Sequence, residues 1–90
     1  MGFSEEKSVV SNTPRNILIL RDFCLKMSAQ CPSNQTLSIS VSYDNGNGSR
    51  ENKIINNCNQ LTSSIPSGAS NINLVITCQE EPVCEYSPSL

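Results

Sequence analysis

Thr13-Pro14-Arg15-Asn16-Ile17-Leu18-Ile19-Leu20-Arg21-Asp22-Phe23-Cys24-Leu25-Lys26-Met27 is the stretch on which the fold class turns. Thr13-Pro14 has the chemistry of a helix N-cap followed by a proline at the first helical position, and Ile17, Leu20, Cys24 and Met27 fall at helical spacing. The same residues also read as a buried strand, because Ile17-Leu18-Ile19-Leu20 is a short continuous apolar run in which β-branched residues alternate with Leu. The strand reading, over 16–23, is the one favoured by that alternation. It makes the chain all-β, a small antiparallel sandwich or barrel stapled by disulfides. The alternative is α+β, with a helix near 14–27 packed on an antiparallel sheet.

The stretches on either side are less ambiguous. In Thr36 to Tyr43, Leu37, Ile39, Val41 and Tyr43 share one face while Ser38, Ser40 and Ser42 share the other, the period of a half-buried strand. Asp44-Asn45-Gly46-Asn47-Gly48-Ser49 then supplies residues that tolerate positive φ, so a hairpin to a return strand around Arg50–Asn56 is expected. Ile54 and Ile55 have opposite parity and leave its inward face open. Asn71 to Gln79 repeats the alternation with Ile72, Leu74, Ile76 and Cys78, and Val75 on the other face points to a central strand. Residues 56–71 form a polar connection anchored at Cys58, Leu61 and Ile65. Residues 1–13 are expected to be a loose arm or an edge strand, and residues 80–90 a tail held through Cys84.

Ninety residues make one small domain, and Ile, Leu, Val and Phe supply only 22 of them. A core that thin benefits from covalent staples. Cys24, Cys31, Cys58, Cys78 and Cys84 provide them, at a density typical of exported domains in oxidising compartments. Five cysteines with one left over allow 15 two-bridge arrangements. Cys78 shares the inward face of its strand, which makes Cys24 or Cys31 its natural partner. Asn34-Gln35-Thr36 and Asn47-Gly48-Ser49 are N-glycosylation acceptor sequences in loop-like surroundings, and they support a secreted, extracellular protein over a cytosolic one with reduced thiols. Met1-Gly2-Phe3-Ser4-Glu5-Glu6 is polar and acidic and lacks the apolar stretch of a signal peptide, so an exported form is expected to be a mature chain. No run approaches the length of a membrane span.

Catalysis finds little support. The chain has no His, which removes the commonest general base and any Ser/His or Cys/His nucleophile pair. No catalytic residue and no cofactor is assigned. The cysteines lack the short knuckle spacing of zinc sites, and the 44–48 loop lacks the alternate acidic residues of a calcium loop, so no metal site is assigned either. A net charge of −2 with six dispersed basic residues gives no patch able to displace counterions from nucleic acid.

What remains is binding. A secreted, cysteine-rich, effector- or inhibitor-like protein that recognises another protein through a strand edge or the 62–71 loop is the expected class, with Ser64, Ile65, Pro66 and Ser67 as the candidate binding-loop residues. A glycan-binding or adhesion module is the alternative. With no Trp and only Tyr43 and Tyr86 as tyrosines, its sugar-stacking platform is meagre.

Overall fold

A computed structural model describes residues 2–80 of the chain. Its elements run β1 (Phe3–Ser11), α1 (Pro14–Ser28), β2 (Gln35–Asp44), β3 (Arg50–Ile55), a 3₁₀ turn (Cys58–Gln60), α2 (Leu61–Ser64) and β4 (Ser70–Glu80). The four strands form one antiparallel sheet in the order β1-β4-β2-β3. The sheet is open, with β1 and β3 as its edges, and the helical segments cover one face. The architecture is therefore α+β in two layers, not a barrel.

The expected strand over 16–23 is a helix. Thr13 is extended, and its hydroxyl accepts the Asn16 N–H at 3.1 Å, while Pro14 opens the first turn. Leu20 and Cys24 face the sheet and are buried, with Ile17, Phe23 and Met27 packed beside them. Leu18 is 55% exposed, so the apolar run is amphipathic at helical spacing and not a buried strand. The capping chemistry ahead of the run outweighs the alternation within it.

The sheet follows its sequence pattern closely. Ile39, Val41 and Tyr43 of β2, Ile55 of β3, and Ile72, Leu74, Ile76 and Cys78 of β4 are buried on the covered face. They meet across the ladders at Ile39↔Ile55, Ile39↔Ile76 and Val41↔Leu74. This register resolves the parity of β3: Glu51, Lys53 and Ile55 point to the helical layer, and Ile54, 71% exposed, points away. Residues 45–48 close the β2–β3 hairpin, with the Asn45 N–H bonded to the Ser49 carbonyl and Gly48 at φ 93°. Residues 3–11 form an edge strand paired to β4 from Phe3↔Cys78 to Ser11↔Ser70. Because β4 pairs on both sides, it is the central strand that Val75 pointed to.

The connection from 56 to 69 is more ordered than its polar composition implied. Cys58, Leu61, Ile65 and Ala69 are all buried. The Asn57 side chain caps the 3₁₀ turn by accepting the Asn59 N–H, and the Gln60 side chain accepts the Asn56 N–H.

Two disulfides staple the fold, one within the helical layer and one from that layer to the sheet. Cys24 of α1 is joined to Cys58 in the 3₁₀ turn, and Cys31, just after α1, is joined to Cys78 near the end of β4, each with a Cα–Cα separation of 5.7 Å. They close segments of 34 and 47 residues in an interleaved pattern. Chain-entropy arguments give each about 4 kcal/mol when considered alone. The partner of Cys78 is one of the two its inward position suggested. Cys84, Tyr86 and the expected tail lie outside the described residues.

Candidate functional site

Among the described residues no polar or charged side chain is buried, and no three His, Cys, Asp or Glu side chains converge on a point that could hold a metal. No described helix is long and apolar enough to cross a membrane. Two surface concavities among the described residues are the candidate sites.

The first is a groove of about 410 Å³ between the N-terminal half of α1 and the 62–67 segment. Its walls are Pro14, Ile17, Leu18 and Arg21 on the helix side and Thr62 and Ser67 on the other, with Asn12 at one end. Leu18 and Ile17 supply an apolar floor, and Arg21 is the only charge among the described residues that line it. The groove has a fixed shape because Asn12 holds the far wall: its side-chain amide donates to the carbonyls of Ile65 and Pro66, at 3.3 and 2.7 Å. Lys53 reaches the same segment from β3 and donates to the Ser64 carbonyl at 2.9 Å.

The candidate binding loop divides accordingly. Ile65 is a core residue and is not presented to solvent, while Ser64 is half-buried and its backbone is engaged by Lys53. Pro66 and Ser67 are exposed, and Ser67 lines the groove. The segment is a short helix and turn pinned by Ile65, not an extended loop. The helix side of the groove escaped sequence reading, because Leu18 and Arg21 belong to the stretch read as a strand.

The second concavity lies on the uncovered face of the sheet. The registers place Ser4, Thr77 and Ser38 in one row across the strands, Glu6, Val75, Ser40 and Ile54 in the next, and Ser8, Asn73, Ser42 and Asn52 in a third. Cross-strand bonds such as Ser8 Oγ to Asn73 Oδ1, at 2.6 Å, tie the rows together. At one end a shallow hollow of about 460 Å³ is lined by Glu6, Ser8, Val10, Arg50, Asn71 and Asn73. Arg50 spans three strands here: its guanidinium donates to Asp44 Oδ1 at 2.9 Å, to Ser42 Oγ at 3.1 Å and to the Asn71 carbonyl at 3.0 Å. Asp44 also accepts from the Asn71 amide, and these bonds hold its carboxyl below its ordinary value.

The two acceptor asparagines are both exposed, in separate turns. Asn34 precedes β2. Asn47 sits at the tip of the hairpin, where its side-chain oxygen accepts from the Ser49 backbone N–H at 3.2 Å and hydroxyl at 2.9 Å. Below that turn the Tyr43 ring is buried and its hydroxyl donates to Glu51 at 2.8 Å, with Asn45 on the other carboxylate oxygen. Tyr43 is thus a core residue with a polar tip and offers no face for stacking a sugar.

No protein-family model, curated protein or solved structure matches the chain.

Proposed function

We propose that this chain is a secreted, disulfide-stapled binding protein that recognises another protein through the groove between α1 and residues 62–67. The groove itself carries the reading: an apolar floor beside the exposed Leu18, one arginine, and walls fixed by Asn12 and by the Cys24–Cys58 bridge. A rigid, part-apolar groove suits an apolar side chain or short peptide segment of a partner, since little entropy is lost in ordering it. The two disulfides and the exposed asparagines of both acceptor sequences support an oxidising, extracellular setting. The lack of any His supports binding over catalysis.

The test is to place a photo-crosslinking residue at Leu18 and another at Ile54, on the opposite face, and to expose each to the secretions in which the protein acts. A defined partner attached from position 18 and not from 54, and lost with Ser67→Arg, is expected. Attachment from 54 alone would transfer the binding site to the uncovered sheet face.

That outcome would favour a second reading, glycan recognition, which rests on the polar hollow of Glu6, Ser8, Arg50, Asn71 and Asn73. With Tyr43 buried, such a site would work through hydrogen bonds. Asn73→Leu should then abolish binding on a glycan array.

A further inference from the structure

We infer that a second copy of this chain pairs with the first along β1, joining two four-stranded sheets into one of eight strands. β1 is a nine-residue edge strand bonded only to β4 among the described elements. An unpaired edge is a template for another strand unless its side chains prevent it. Charges normally provide that protection, but here their order makes the strand self-complementary. A two-fold axis perpendicular to the sheet at Glu6 sets Glu5 opposite the other copy's Lys7, and Lys7 opposite its Glu5. The same register sets Phe3 opposite Val9 and Ser4 opposite Ser8. The neighbouring registers that keep each residue on its own face put Glu5 opposite Glu5 or Lys7 opposite Lys7. Only the axis at Glu6 gives two opposite-charge pairs, with the single Glu6–Glu6 contact left on the wet face.

The helical layer points the same way. Arg21 and Ile17 face the groove beside residues 62–67. Ile19 and Phe23 lie two residues either side of Arg21, about 200° around the helix, and so face the β1 flank. Ile19 is 37% exposed and Phe23 is half-buried. The two-fold axis brings these flanks together above the joined sheets and covers their apolar surface. Glu5 and Lys7 belong to the helix-facing set of β1 yet are exposed, so α1 stops short of the edge and leaves room for the neighbour. The proposed groove lies on the far side of α1 and remains open in both copies.

Sedimentation velocity across a concentration series tests this, with circular dichroism confirming that each variant is folded. The native chain is expected to show twice the monomer mass at high concentration. Glu5→Lys and Lys7→Glu, each placing like charges together twice, should weaken association by about tenfold or more. The double variant E5K/K7E restores both opposite-charge pairs and should dimerise like the native chain. Glu6→Gln should tighten the dimer. A chain monomeric at every concentration, or a dimer indifferent to both single reversals, would overturn the proposal. So would mass that grows without limit and is lost in the double variant: β1 would then be pairing with β3 of the next copy, where Lys53 and Glu51 oppose residues 5 and 7.

Discussion

Asn71 adopts φ 50° and donates its side-chain amide to the Asp44 carboxylate at 2.8 Å, across an irregularity that joins β2 to β4. The β2–β4 register steps from Ser42↔Asn73 to Asp44↔Ser70, so two residues of β4 stand opposite Tyr43 alone. The left-handed turn of Asn71 absorbs the extra residue, and its side chain locks the turn to β2. Its carbonyl meanwhile accepts from Arg50 of β3. One asparagine thus fixes the end of the sheet where the polar hollow forms.

Asn71→Gly and Asn71→Val separate the two roles. Both lose the bond to Asp44, but glycine accepts the left-handed backbone and a β-branched residue does not. Valine should be less stable than glycine by about 1–2 kcal/mol, read from denaturant unfolding. Equal stabilities would show that the left-handed conformation is not maintained.

Asp44 and Glu51 should contribute to the acid limb of stability. Hydrogen bonds from Asn71 and then Arg50 hold the Asp44 carboxyl below its ordinary 3.8, and bonds from Tyr43 and then Asn45 hold Glu51 below 4.5. With native values below unfolded ones, the unfolded chain takes up protons first as pH falls. The stabilisation is complete above the ordinary carboxylate range and disappears as pH drops through the lowered values. The Tm should therefore fall as pH drops below about 4.5. The double variant D44N/E51Q should start lower at neutral pH and show a shallower acid limb. An unchanged slope would assign acid sensitivity to other carboxylates.

The helix makes a sharp contrast within one apolar run. Leu20 is buried against the sheet while Leu18 faces solvent. Leu20→Ala should cost about 2–5 kcal/mol and Leu18→Ala within about 0.5 kcal/mol. Thr13→Ala, which removes the cap on Asn16, should cost about 1 kcal/mol. Similar losses at Leu18 and Leu20 would contradict the helical placement.

The parts of the fold that could be read from sequence are those fixed by local periodicity. β2 and β4 alternate cleanly, and the Asp44–Ser49 turn chemistry lies between β2 and β3 as expected. Residues 17–20 misled because four consecutive apolar residues satisfy either period. The deciding information, Thr13-Pro14, lay outside the run. The order β1-β4-β2-β3 had no local signature, since it pairs the first strand with the last. Of the groove, only the 62–67 side was legible; the other side requires α1 to be a helix. Asn71 carried a faint signal as an asparagine following Gly68-Ala69-Ser70, but its role depends on a register set by distant strands.

Two interleaved disulfides hold the fold: Cys24–Cys58 joins α1 to the 3₁₀ turn, and Cys31–Cys78 fastens the end of α1 to β4. Peptide mapping by mass spectrometry, with free thiols alkylated and no reductant added, tests this pairing most directly. No Lys or Arg follows Lys53, so chymotrypsin must be used to cut between Cys58 and Cys78, after Leu61 or Leu74. Linked peptides joining Cys24 to Cys58 and Cys31 to Cys78 are expected. A Cys24–Cys31 link, or five cysteines alkylated before reduction, would contradict it.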